Sequence, residues 1–263
     1  MNLPGKRRRL NHRFASLPTT TATHGATSFV LMLVTLATAA VSDRAAINAR
    51  AAEKPKTADA QKTSDAALPL LLKEDFENGT DRWEPTDPKG WKVIAVDGGH
   101  AYRLAKKSKY KPPHRSPLNF ALLRDIDVGD FVLEARVRST VKDYAHRDIC
   151  LFFGYQDADH FYYVHLGKTT DDHANQIFIV DGADRKKIST KTTPGTDWDD
   201  AWRRVKIARN AADGTIAVYF DNMDEPVMTA TDKTFATGRI GVGSFDDLGD
   251  FDDVTLRGVK PKK

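Results

Sequence analysis

Four short stretches carry most of the side chains able to do chemistry, and all four alternate: FVLEARVRS (131–139), ICLFFGYQ (149–156), FYYVHLG (161–167) and NQIFIV (175–180). In an extended strand, successive side chains point to opposite faces. One face then receives Leu133, Ala135, Val137, Leu151, Phe153, Tyr155, Tyr162, Val164, Leu166, Ile177 and Ile179. The other receives Glu134, Arg136, Arg138, Phe152, Gly154, Phe161, Tyr163, His165, Gln176 and Phe178. If these strands are neighbours, the second face joins a carboxylate, two guanidinium groups, an imidazole, an amide and several rings. That mixture suits a saccharide. Ring faces meet the C–H faces of a pyranose, while Arg, Gln, Glu and His answer its hydroxyls. The expected ligand-binding set is Glu134, Arg136, Arg138, Phe152, Tyr163, His165, Gln176 and Phe178. Within it, His165, Tyr163 and Glu134 are the candidates for acid–base catalysis. The plainer reading is that alternation must put something polar outward, and Arg–Glu pairs are ordinary on exposed sheet faces.

Acid–histidine pairs raise a metal reading. DADH (157–160), DDH (171–173) and HRD (146–148) would have to meet at one rim. No HExxH or paired-His spacing exists, so calcium, which takes loop carboxylates and carbonyls, suits them better than a catalytic zinc. Cys150 is the only cysteine. It sits in an apolar strand pattern and reads as a small buried hydrophobe; no internal disulfide can form. KKSKYKPPHR (106–115) is a basic, Pro-containing loop, read as solvated and able to touch an acidic polysaccharide.

What must position these residues is a series of short strands. From Leu68 onward, period-two runs recur at intervals of about ten residues, separated by Asp, Asn, Gly and Pro, as in an antiparallel sandwich or barrel. The stretch TIAVYFDNMDEPVMTATDKTFATGRIGVGSF (215–245) shows the pattern well. Ile216, Val218 and Phe220 point one way and Ala217 and Tyr219 the other. Asp221–Asp224 supplies the turn, since Asn and Asp tolerate a left-handed backbone. Gly238, Gly241 and Gly243 leave room for close approach of a neighbouring strand. At most one turn of helix is expected, near TDWDDAW (196–202). The fold class is therefore all-β, with residues 68–260 forming one antiparallel sandwich.

Ahead of it, GKRRRLNHR is a basic segment and FVLMLVTLATAAV (29–41) a 13-residue apolar run. That length suits a signal-peptide core better than a membrane span. Residues 1–51 are read as a cleaved export leader, with an uncleaved anchor as the alternative, and 52–67 as a flexible tether. The leader holds a net +6 against +4 for the whole chain, leaving −2 for the remainder. The basicity belongs to the targeting segment, and nucleic-acid binding is not expected. The exported product is expected to be secreted, periplasmic or envelope-associated, off the membrane once the leader is cut, and monomeric.

KEDFENGTDRWEP, GWKVIAVDGGHAYRLA, FVLEARVRS, FFGYQDADHFYYVHLG, WRRVKIARN and FDDVTLRG, in this order, resemble a concanavalin A-like jelly roll. The nearest flavour is the laminin-G-like and 3-keto-disaccharide hydrolase-like group of exported bacterial proteins. The resemblance covers residues 68–258 and implies a curved sheet carrying any groove. It also implies a structural calcium pinning the opening strand to the closing one, with Glu77 and Asp252 or Asp253 as ligands; no other cofactor is required. The superfamily holds lectin modules, hydrolases, lyases and silent domains. The E-x-D-x-x-E pattern of its glucanases is missing, since Glu134 is followed by Arg136, and QIF (176–178) stands where its lyases have Gln-x-His. Three functions follow: a module recognising a saccharide, a glycoside-cleaving hydrolase of the 3-keto-disaccharide type, or an envelope interaction protein with no sugar site.

Overall fold

The computed structural model describes residues 68–261; the expected leader (1–51) and tether (52–67) lie outside the described residues. Strands β1 to β16 are numbered in chain order and make two antiparallel sheets. Sheet A contains β1 (Leu70–Glu74), β3 (Trp91–Val96), β4 (Gly99–Leu104), β6 (Phe131–Ser139), β11 (Ser189–Thr192), β12 (Arg203–Arg209), β13 (Thr215–Phe220), β14 (Met228–Thr231) and β16 (Gly249–Gly258). Its order is β11-β14-β13-β12-β6-β16-β4-β3, with β1 also paired to β16. Sheet B contains β2 (Trp83–Pro85), β5 (Asn119–Leu123), β7 (Asp148–Asp157), β8 (His160–Gly167), β9 (Gln176–Asp181), β10 (Lys186–Lys187) and β15 (Arg239–Ser244). It runs β10-β9-β8-β7-β15-β5-β2. This is the two-sheet sandwich that the alternation predicts.

Every second side chain of the central strands fills the space between the sheets. Leu133, Ala135 and Val137 from β6 meet Leu151, Phe153, Tyr162, Val164, Leu166 and Ile177 from sheet B, all buried. Each such large side chain contributes roughly 1.5–3 kcal/mol on leaving water. Tyr155 departs from the expected inward set. The β7 register against β8 shifts between Phe153 and Asp157, and Gly154 takes a left-handed φ of 57°. That bulge turns Tyr155 to the outer face, where it packs on Phe120 and Phe161, as bulges re-aim side chains.

In the 215–245 stretch, Ile216, Val218 and Phe220 enter the core, while Tyr219 joins Val132 and Ala208 on the opposite face. The glycine reading also stands: a Cβ on Gly243 would run into the backbone of Asn119 on β5. The expected helical turn at 196–202 is loop instead. There Trp198 is anchored to the core by its indole N–H on the Leu166 carbonyl, 2.8 Å. Among the described residues, the helical turn is a 3-10 turn at Pro88–Gly90, capped by Asp87 with Pro at its start, a favourable place for proline.

Candidate functional site

Five of the eight expected ligand-binding residues come together on the outer face of sheet B. Register places Phe152 opposite Tyr163 on β7–β8. On β8–β9 it places Tyr163 opposite Phe178 and His165 opposite Gln176. The other three, Glu134, Arg136 and Arg138, belong to β6 in sheet A. The expectation of one continuous face is thus corrected, because the chain changes sheets between β6 and β7. Alternation tells which residues share a face of a strand, but it does not tell which sheet the strand joins.

The sheet B face is no open platform. Phe120, Leu122, Cys150, Phe152, Phe161, Tyr163, Phe178 and Val180 form a second buried apolar cluster there. Tyr163 stacks on Phe178 with centroids 5.1 Å apart and on Phe152 at 6.0 Å. Arg185 lies over the rings of Phe178 (4.5 Å) and Phe245 (4.3 Å) and donates to the Tyr163 hydroxyl at 2.8 Å. The 106–115 loop, expected to be solvated, is tied across this side. Ser108 N donates to Asn119, Arg115 N to Asp184, and Arg185 N to the Arg115 carbonyl. Tyr110 meets Phe120 edge-on. Phe152, Tyr163 and Phe178, the rings expected to stack on a sugar, are buried.

Beneath Phe245 and Arg185 is a buried polar knot that the sequence reading passed over. Asp148, Cys150 and Phe152 are in phase on β7, and Cys150 pairs directly with His165 on β8. Asp148 accepts from Ser244 Oγ (3.1 Å), Phe245 N (2.9 Å) and the Cys150 thiol (3.3 Å). Asp247 accepts from the Tyr144 hydroxyl at 2.8 Å and from Asp148 N at 3.0 Å. The enclosure opposes charge. Burial pushes the His165 imidazole down to about 3, helped by the positive charge of Arg185 and His146. Burial, then the neighbouring Asp247 charge, holds Asp148 well above the usual carboxylate range. Burial raises the Cys150 thiol and the Tyr163 phenol as well. Cys150 is buried as expected, yet it touches a carboxylate. A buried thiol held neutral is inert as a nucleophile, and His165 and Tyr163 have no route to substrate. Asp148 was open to discovery through its i, i+2 phase with Cys150; nothing local in the sequence announces Arg185.

The outer face of sheet A is ionic apart from the small Val132–Ala208–Tyr219 cluster. Asp250, fully buried, bridges two guanidinium groups, Arg103 at 2.5 and 2.8 Å and Arg138 at 2.6 and 3.0 Å. Arg136 and Arg138 both lie over the Trp202 ring, at 4.9 and 4.8 Å from its centroid. Glu134 lies 3.7 Å from Arg204. As a catalytic partner for His165 and Tyr163 it is on the wrong sheet.

The calcium expectation also changes. Opening and closing strands do pair, β1 on β16, but the three carboxylates are committed elsewhere. Glu77 binds His100 through N and Nδ1 (2.6 and 2.7 Å). Asp253 takes Arg136 at 3.0 Å, and Asp252 caps the Asp253 amide at 2.7 Å. Of the three acid–histidine stretches, HRD and DDH meet and DADH stands apart. His160 pairs with Asp157 at the β7–β8 turn, and His146 pairs with Asp171 at the other end of those strands. Among the described residues, the groups with metal-ligand geometry are Asp148–Cys150–His165 and Asp148–Asp246–Asp247.

A cleft of about 680 Å³ opens at the end of the sandwich where β6 and β8 finish and β7 begins. Arg138, Lys142, Asp143, Arg147, Lys168 and Asp199 are among its walls. Arg147 is 1 % exposed. It is held by Ser139 Oγ (3.0 Å), the Ser139 carbonyl (2.9 Å) and Asp200 (2.7 Å). Lys168 pairs with Asp143 across the opening. Of the residues expected to bind ligand, Arg138 lines this cleft.

No family model matches the chain, and no curated protein matches it by sequence. Among solved structures it is similar to the GH43 protein BlXynB from Bacillus licheniformis, at 12% identity over 71% of this chain and TM-score 0.50; the chain spans 39% of that protein. It is also similar to a carbohydrate binding module, CBM66, from Bacillus subtilis, at 18% identity over 67% of this chain and 96% of that one, TM-score 0.49. Domain 4 of AbnA, a GH43 arabinanase from Geobacillus stearothermophilus, is similar at 12% identity over 74% of this chain and 95% of that one, TM-score 0.48. At these identities the likeness concerns the sandwich fold.

Proposed function

We propose that the chain is an exported carbohydrate-binding module whose saccharide lies in the cleft at the end of the sandwich. One observation carries the reading. The cleft's volume of about 680 Å³ falls within the range that ligand pockets occupy, and its walls alternate cations with carboxylates. Such walls answer a hydroxyl-rich ligand by hydrogen bonding from both donor and acceptor sides. Trp198 at its base is buried, so recognition here is polar and not built on ring stacking. Binding is favoured over hydrolysis because the candidate proton-transfer groups are sealed in sheet B or stand apart on sheet A. Cleavage needs two carboxyl groups flanking the scissile bond, and the carboxylates at the cleft are each tied to a cation, Asp143 to Lys168, Asp199 to Arg203 and Asp200 to Arg147.

The full chain applied to a glycan array tests this, followed by calorimetric titration with the best oligosaccharide. Lys142 is exposed on the cleft wall. Lys142→Ala with Asp143→Ala is expected to weaken binding about 10-fold, equal to about 1.4 kcal/mol, with the melting temperature unchanged. Silence across the array, or affinity that survives the double change, would sink the proposal.

A further inference from the structure

We propose that Asp148, Cys150 and His165 form a binding site for one divalent transition-metal ion of the zinc class, buried under the outer face of sheet B. Three observations converge on it, and none depends on the saccharide cleft.

The first is strand geometry. Asp148 and Cys150 are two apart on β7 and project the same way, and His165 is the direct cross-strand partner of Cys150 on β8. A carboxylate, a thiol and an imidazole therefore share one small space without any loop having to place them. The second is distance. One donor atom from each residue lies within 4.8 Å of the others. His165 Nε2 is 3.3 Å from Asp148 Oδ2, and Cys150 Sγ is 3.3 Å from the same oxygen. A tetrahedral ion with bonds of about 2.0 Å to N and O and about 2.3 Å to S needs donor edges of about 3.3–3.5 Å. Two of the three edges already match, and the imidazole-to-thiol edge lies within 4.8 Å.

The third observation points to a missing partner. His165 is 5 % exposed, yet neither ring nitrogen makes a hydrogen bond of good geometry, although Nε2 faces Asp148. Buried polar groups in folded proteins almost always find partners, and an ion between Nε2, Sγ and the carboxylate would supply one. The surroundings fit a second shell. Ser244 Oγ and Phe245 N hold the Asp148 carboxylate in place, as outer partners orient metal ligands. Phe245 and Arg185, the outer wall, are only half-buried side chains, so side chains rather than strand backbone separate the site from solvent on that side. Asp148 also belongs to an all-carboxylate group with Asp246 and Asp247. Sulfur and nitrogen donors select zinc or cobalt over calcium, so the site is assigned to the mixed set.

A single cysteine makes the test unambiguous. The full chain, reduced and stripped with a chelator, is titrated with cobalt(II) and then with zinc. We expect one equivalent of cobalt to bind with a thiolate-to-cobalt charge-transfer band, which can arise only from Cys150. Zinc should displace the cobalt and raise the melting temperature. Cys150→Ser should abolish the band and weaken zinc binding at least 10-fold, and His165→Gln should weaken it similarly, with circular dichroism confirming the fold. Should either variant fail to fold, the spectrum of the unaltered chain decides alone. Cobalt bound without the thiolate band, no retained metal, or stabilisation by calcium but not zinc would each overturn the assignment.

Discussion

The two outer faces of this sandwich are built from the same alternating pattern and end as opposites. On sheet A the outward side chains make an ionic lattice, Arg103–Asp250–Arg138 with Arg136 and Arg138 against the Trp202 ring, beside a small apolar cluster of Val132, Ala208 and Tyr219. On sheet B they make a second hydrophobic core, roofed by Arg185, Tyr110 and Phe245. The difference lies in the rings. β7, β8 and β9 place Phe152, Phe161, Tyr163 and Phe178 on their outward side, too much apolar area to leave in water. Segments from before and after these strands therefore fold over it. β6 offers Glu134, Arg136 and Arg138 in the same phase, and water and counter-charges suffice.

The sharpest way to break this contrast is Phe152→Ala. If sheet B's outer side is a true core, removing this fully buried ring should cost about 3–5 kcal/mol, transfer and cavity together. Chemical denaturation of the full chain measures it. A cost under about 1 kcal/mol would mean that the face is loosely covered and the contrast is wrong.

Asp250→Ala probes the other side and should come second. The carboxylate is fully buried between two guanidinium groups that are each about a quarter to a third exposed. Breaking a buried pair from one side costs about 3–5 kcal/mol, and the partial exposure of Arg103 and Arg138 brings the expectation to about 2–3 kcal/mol. In a domain of this size that lowers the melting point by roughly 5–10 °C. A near-neutral result would show that the lattice is ordinary surface charge.

The sandwich could be read from the sequence because each face has its own phase. Leu133, Leu151, Val164 and Ile177 all occupy the core as their alternation requires. Two things could not be read that way. The assignment of β6 to sheet A and β7 to sheet B depends on where the 140–147 connection crosses, and no local pattern encodes a crossing. The Tyr155 position depends on the bulge at Gly154, where the β7 register shifts, and a slip of one residue flips a side chain. The fold brings Phe152, Tyr163, His165, Gln176 and Phe178 together as neighbours on sheet B. The expected binding set was wrong about their exposure, because the roof comes from residues 106–115 and 185, distant in sequence.

Arg136→Ala should be milder still. Arg136 is 39 % exposed, pairs with Asp253 at 3.0 Å and lies on Trp202. An exposed pair is worth at most about 1 kcal/mol, and high salt should erase most of that. A loss above about 2 kcal/mol would make the sheet A lattice as cooperative as a core.

The smallest effect should have the opposite sign. Burial holds Asp252 above its ordinary value, and the Asp253 charge adds to the shift. A carboxyl whose folded-state pKa is raised stabilises most below its unfolded pKa, and that share is lost as pH rises through the folded value. Asp252→Asn keeps an acceptor for the Asp253 amide but cannot ionise. Compared with the unaltered chain, the variant should gain stability between pH 4 and pH 7, measured as the difference in melting temperature at the two pH values. If the difference instead shrinks as pH rises, Arg136 outweighs burial at Asp252, and this carboxylate belongs with the solvated lattice. The boundary between the ionic face and the interior would then run deeper into sheet A than burial suggests.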